Sequence, residues 1–193
     1  MNKLEFLTEI IYKRQSIFPA SFTGELIADE VVTKILENAN QAPSHKHTEP
    51  WRFHIVSGEA KSTYCRFVQQ AYKAYVPEEK FKQSKYDKLA KKISNASHII
   101  MIGCRYDKAS NLPEWEEVAA VACAVQNIYL SLTAAELGGY WSSPEFLIEN
   151  AHLYFDMEED EVSLGVFYVG VLKNVIPPPV RKGDISEKIK LYK

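Results

Sequence analysis

The chain has 193 residues, 46% of them hydrophobic and 25% charged, and a formal net charge of -2. That length holds one compact domain with a sizeable core and would cramp two, and the composition excludes disordered, collagen-like and coiled-coil chains. The near-neutral balance excludes a global electrostatic drive toward nucleic acid or an anionic membrane, so an anionic ligand must be met locally.

Residues 2–14 place Leu4, Phe6, Leu7, Ile10 and Ile11 at helical spacing and end in Lys13 and Arg14, which predicts a first helix with a basic C-terminus. Charge interrupts every turn of this stretch, so it lacks the apolar run of a secretory signal. Residues 16–24 read as loop. A second helix is expected over Ala28–Gln41, with Val31, Val32, Ile35, Leu36 and Ala39 as its apolar stripe and Pro43 as its stop. Trp51–Val56, closed by Ser57-Gly58, reads as a strand.

Two helices are expected over 59–75 and 78–95. The second is lysine-rich, but Phe81, Leu89 and Ile93 share one face, so its lysines read as a solvated face rather than a nucleic-acid surface. His98–Cys104 reads as a buried strand. Asn111 and Pro113 mark a helix start, and Glu114, Glu116 and Glu117 suit the positive end of its dipole rather than a paired acid and base. From Val118 to Ala135 no residue is charged, which predicts a central helix buried on nearly all sides or partly in a subunit interface. Leu137-Gly138-Gly139 reads as its C-cap. Val162–Val171 reads as the last strand, and residues 174–193, with Pro177, Pro178 and Pro179, as an extended tail. One domain over 1–193, of α+β class, is expected.

Three cysteines, Cys65, Cys104 and Cys123, form no CxxC pair and leave an odd thiol, which fits a reducing, cytoplasmic setting. His45, His47 and His54 crowd one segment without a carboxylate or thiolate at a ligand spacing, so no metal is expected. There is no GxGxxG, no GxxxxGK[ST] and no GxSxG. What remains are three polar or glycine-bearing junctions. Arg14-Gln15-Ser16 offers a guanidinium fork and a hydroxyl to a phosphate. Ala42–Trp51 is a donor-rich loop between a helix and a strand. Gly138–Ser143 offers close backbone approach and two serine hydroxyls. Taken singly, each also reads as a turn, a surface loop or a cap.

In this order the three segments resemble the nitroreductase family of flavoproteins. Arg14-Gln15-Ser16 is similar to the family's RRS, Ala42–Trp51 to its APSxxNxQPW-type loop, and Gly138–Ser143 to its late glycine-and-tryptophan turn; the PSHK-to-PW loop is the most specific of these. The resemblance implies a central mixed sheet flanked by helices around a long buried helix. It further implies a homodimer holding FMN at the subunit interface, with NADH or NADPH as co-substrate and a nitroaromatic, quinone or similar small acceptor. Arg14, Gln15 and Ser16 would hold the phosphate and ribityl chain, and His45, with Gln41 near it, would meet the cofactor from the loop. Trp141, Ser142 and Ser143 would lie along the flavin from the partner chain. The cycle would be ping-pong, with no side chain as an obligatory acid or base.

Two departures from the pattern bear on function. Gln15 stands where the family has a second arginine, and Arg181 or Lys182 is the candidate to replace that charge. His47 and Glu49 stand where many members have Asn and Gln. A flavin-binding storage or sensing module without turnover, and a related chemistry such as reductive dehalogenation or flavin breakdown, therefore stay open on the sequence alone.

Overall fold

Every residue from His98 to Cys104 is buried, because this strand is covered on both faces. In the computed structural model, which describes residues 2–193, the elements run α1 (Lys3–Lys13), α2 (Asp29–Ala39), β1 (Trp51–Val56), α3 (Ala60–Tyr75), α4 (Gln83–Asn95), β2 (His98–Arg105), α5 (Glu114–Ala134), β3 (Leu137–Ser142), α6 (Glu145–Glu149) and β4 (Glu161–Val171). The sheet order is β1-β2-β4-β3. All three pairings are antiparallel, so the α+β class holds while the sheet within one chain is not the mixed sheet expected.

The alternation of side chains along a strand divides the core in two. Ile100, Ile102, Phe167 and Val169 face α2 and α5, where they meet Val32, Ile35, Val121 and Ile128. Ile99, Met101, Val166 and Tyr168 face the other way, onto Tyr64, Val68, Tyr72, Ile93 and Phe146.

Several boundaries differ from expectation for local reasons. The 78–95 segment is a short turn at Glu78–Lys80 followed by α4, with Phe81 between them, its ring 5.7 Å from Tyr72 and 6.0 Å from Tyr86. Pro113 is the N-cap of α5 rather than its first residue. Helix α6 had no sequence signal long enough to read.

The glycines after α5 do not cap it. Ala135 is the C-cap, Glu136 takes the left-handed turn with φ 56, and Gly138-Gly139 lie inside β3. A Cβ at Gly138 would collide with the Phe22 ring, and one at Gly139 would sit 2.8 Å from Leu132 and Phe167. These glycines admit neighbouring core side chains to the sheet, and Glu136 takes the turn in their place.

Helix α5 is long and apolar enough to cross a membrane by length and composition alone. Here one side of it is core, with Ala120, Val121, Ala124, Val125, Ile128 and Leu132 buried. The other side, carrying Trp115, Ala119, Ala122 and Cys123, is largely uncovered, so within one chain α5 is not buried all round. Helix α1 opens with an Asn2/Glu5 capping box, yet buries none of its residues and leaves Leu4, Phe6, Leu7 and Ile11 exposed.

Candidate active site

The chain after α1 is zipped onto the free edge of β3. Strand β3 pairs with β4 on one side only, so its outward backbone groups need other partners. Ile17 N–H donates to the Gly139 carbonyl at 2.8 Å, and Trp141 N–H donates to the Tyr129 hydroxyl at 3.0 Å. The same hydroxyl lies 3.0 Å from Ser16 Oγ, and the Arg14 guanidinium sits 5.1 Å above the Tyr129 ring. Tyr129 itself is 8% exposed and packs edge-on to Phe167 at 4.7 Å.

The tail returns to this place. Gln15 Nε2 donates to the Pro177 carbonyl at 2.8 Å, and an Arg181 guanidinium nitrogen donates to the Arg14 carbonyl at 3.3 Å. Arg14, Gln15, Ser16, Trp141 and Arg181 therefore converge within one chain, with the Arg14 guanidinium over the ring whose hydroxyl meets the exposed Ser16 and the Arg181 guanidinium on the Arg14 carbonyl. Ser142 ends β3 and Ser143 follows it. Gly165, at φ 104, seats this turn, since a Cβ there would press into the Ser142 carbonyl and Ser143.

The loop from Ala42 to Trp51 is elsewhere. Lys46, His47 and Glu49 have φ of 53, 55 and 44, three left-handed non-glycine residues in four positions. Backbone of this kind persists only where surrounding contacts hold it. His45 Nδ1 is 2.6 Å from Glu116 Oε2, Lys46 Nζ donates to the Ser110 carbonyl at 2.7 Å, and Trp51 Nε1 donates to Asn40 Oδ1 at 2.9 Å. Thr48 Oγ1 is buried without a partner among the described residues. Gln41 and Glu49 line a cleft of about 810 Å³ with Asn38, Trp51 and Arg52.

The two clusters hang from the two ends of α5. His45 is tied to Glu116 in its first turn and Ser16 to Tyr129 near its end, about 20 Å apart at 1.5 Å per residue. One chain therefore brings together Arg14, Gln15, Ser16, Trp141 and Arg181, and does not bring Gln41 or His45 to them. Sequence reasoning missed Tyr129, hidden in a run that looked like pure core, and Glu116, whose helix-end position already explained its charge. Glu117, beside it, points into the protein: it is buried, and its carboxylate accepts the Asp107 N–H at 3.1 Å.

Burial, with Glu117 nearby, pushes the Cys104 thiol up to about 12. No metal-ligand cluster occurs among the described residues.

A profile of the Nitroreductase family matches residues 11–171. YdjA of Escherichia coli, which carries the name of an NAD(P)H nitroreductase, is 26% identical over 145 residues, covering 73% of this chain and 75% of that relative. Among solved structures, the FMN-dependent nitroreductase NfnB of Mycobacterium smegmatis in complex with NADPH superposes with a TM-score of 0.75 at 17% identity, over 99% of this chain and 100% of the other. A nitroreductase with bound FMN from Desulfitobacterium hafniense gives 0.69 at 19% identity, over 100% of both chains. The match runs from the last turn of α1 to the end of β4 and takes in all three segments singled out above, and the chain belongs to the Nitroreductase family.

Proposed function

We propose that the protein is an FMN-dependent oxidoreductase that takes a hydride from NADH or NADPH and passes it to a nitroaromatic, quinone or similar small acceptor in a ping-pong cycle. The observation that carries this reading is the convergence of Arg14, Ser16 and Arg181 beside the β3 edge, in a chain of this family. Such a set fits a dianionic phosphate: two guanidiniums supply charge and an exposed hydroxyl supplies a donor. Arg181, bonded to the Arg14 carbonyl, would supply the charge absent at Gln15. The bound complexes with FMN and with NADPH, on the same fold, support the choice of cofactor and co-substrate.

FMN, when bound, supplies the hydride chemistry at its ring. The chain's residues hold and orient it: Arg14, Ser16 and Arg181 at the phosphate end, and Trp141, Ser142 and Ser143 along the strand end beside them. We place Trp141–Ser143 on the same protomer as Arg14, in contrast to the reading from sequence, because Tyr129 binds Trp141 and Ser16 together within one chain. The His45 loop, with Gln41, then comes from the second protomer.

The proposed homodimer is supported by the same separation and by what one chain leaves uncovered. These surfaces are the Trp115–Ala119–Ala122–Cys123 side of α5, the apolar side of α1, and Val175, Val180, Leu191 and Tyr192 in the tail. Burying them answers the hydrophobic cost of exposing contiguous apolar surface. No partner in nucleic acid or membrane is proposed, and the cytoplasm is the proposed location.

Purified protein tests this reading. It should be a yellow dimer that oxidises NADH or NADPH with a quinone or nitro acceptor, with parallel double-reciprocal lines. A yellow dimer without turnover against any such acceptor would favour the storage or sensing module. A colourless protein that does not take up FMN would remove both. Cys123 gives an independent check on the dimer: a thiol reagent should modify it slowly in the native protein, and rapid labelling at micromolar concentration would refute the arrangement.

A further inference from the structure

We propose that Tyr129 is a positioning residue of the cofactor site, and that its hydroxyl forms the middle of a one-way hydrogen-bond relay that presents the proton of Ser16 to the bound ligand. The inference rests on the proposed binding of FMN at Arg14–Ser16.

The direction follows from what each group can do. A backbone N–H only donates, so the Trp141 amide, 3.0 Å away, occupies one acceptor position of the Tyr129 oxygen. The hydroxyl has one proton of its own, and Ser16 Oγ, at 3.0 Å, is its other partner. We assign Tyr129 as the donor, because Ser16 Oγ is the one acceptor within hydrogen-bond distance of its proton among the described residues. With one lone pair of Ser16 engaged, its proton is free and turns outward, where the residue is exposed. The chain Trp141 N–H, Tyr129 O–H, Ser16 O–H is polarised in one sense, and each donor strengthens the next. It ends in a donor, so it selects an acceptor: an oxygen of a phosphate or of the ribityl chain.

The Tyr129 ring contributes separately. It supports the Arg14 guanidinium from below at 5.1 Å and is itself fixed by Phe167 at 4.7 Å. One buried side chain thus orients a cation and a hydroxyl donor toward the same space, with the Trp141 amide of β3 fixing the sense of the relay.

The test is a double-mutant cycle read in FMN affinity. Tyr129→Phe keeps the ring under Arg14 and removes the hydroxyl. It should raise the FMN Kd roughly tenfold, the scale of one hydrogen bond to a charged acceptor. Ser16→Ala should raise it by at least as much. The double variant should be no weaker than Ser16→Ala alone, since the relay acts only through Ser16. A merely structural role predicts effects that multiply, or a lowered Tm of the apoprotein with an unchanged Kd; either result overturns the relay. Ser16→Ala carries the test alone if Tyr129→Phe does not fold, and an unchanged Kd in that variant also overturns it. Wild-type protein that binds no FMN would instead remove the underlying reading.

Discussion

His45 Nδ1 lies 2.6 Å from the Glu116 carboxylate, joining a loop of strained backbone to the first turn of α5. The bond fixes which nitrogen of the ring is engaged and leaves Nε2 facing away from the helix. The His45 side chain is more than half exposed, so the pair contributes little to global stability, about 0.2–1 kcal/mol. Its effect is local order. Glu116→Ala should leave the urea midpoint nearly unchanged, speed amide exchange across 44–50, and raise the FMN Kd a few-fold. Unchanged exchange in the loop would mean that Lys46 and Trp51 hold it without Glu116.

Arg14 offers a charged fork at the proposed phosphate site. Arg14→Ala should weaken FMN binding by about tenfold to a hundredfold, from a charge-assisted bond of roughly 1.5–3 kcal/mol. Riboflavin, which lacks the phosphate, should bind both proteins alike. Fluorescence titration with the two flavins checks this, and equal losses for both would place Arg14 away from the phosphate.

Glu49 is not neutralised by either basic neighbour in the loop. Lys46 bonds the Ser110 carbonyl, and Arg52 places its Nε on Glu158 and an Nη on the Glu49 backbone carbonyl. Glu49 instead lines the cleft with Gln41. A carboxylate about 6 Å from a ring that gains negative charge on reduction repels it by at most roughly 3 kcal/mol at an effective dielectric near 20, or about 60 mV for two electrons. Solvent screening brings this to a few tens of millivolts. Glu49→Gln should therefore raise the FMN midpoint potential by that amount in spectroelectrochemistry. Agreement within a few millivolts would assign Glu49 to the outer surface.

The Arg52–Glu158–Arg105 network sets an acid limit. Arg52 Nε and an Arg105 Nη lie 2.8 and 2.6 Å from the two Glu158 oxygens, and these bonds, Arg52's first, hold the carboxyl below its ordinary value of 4.5. A depressed value means that the stabilisation is complete above the unfolded pKa and disappears as pH falls through the folded one. Urea denaturation between about pH 3 and 6 should show wild-type stability falling toward the acid end, with a shallower slope in Glu158→Gln. Equal slopes would show that the two arginines contribute nothing across this window.

Periodicity made much of this fold legible. The buried run at 98–104 and the stripe of α2 state their surroundings, because burial selects apolar side chains at the repeat of a regular element; the uncharged length of α5 states them on its core side only. Strand β3 was not legible: its two glycines carry the signature of a helix end, and Phe22 and Leu172, both distant in sequence, explain the first of them. The same limit governs the site. Arg14 and His45 stand out by residue type, whereas Tyr129 and Glu116 matter through partners 113 and 71 positions away. No local pattern encodes such a pairing.

Because Glu116 and Tyr129 belong to one uninterrupted helix, their angular relation is set by chain count alone. At about 100° per residue, the interval from 116 to 129 turns through three full circles and about 220° more, so the two anchors look out on opposite sides of the rod. Helix α5 therefore works as a gauge for both spacing and phase. Inserting a single residue between them would swing one anchor by about 100° and unseat it, while inserting a near-whole number of turns would keep the bearing and only lengthen the span. Any drift in the length of this segment has to come in such steps if both anchors are to keep their partners.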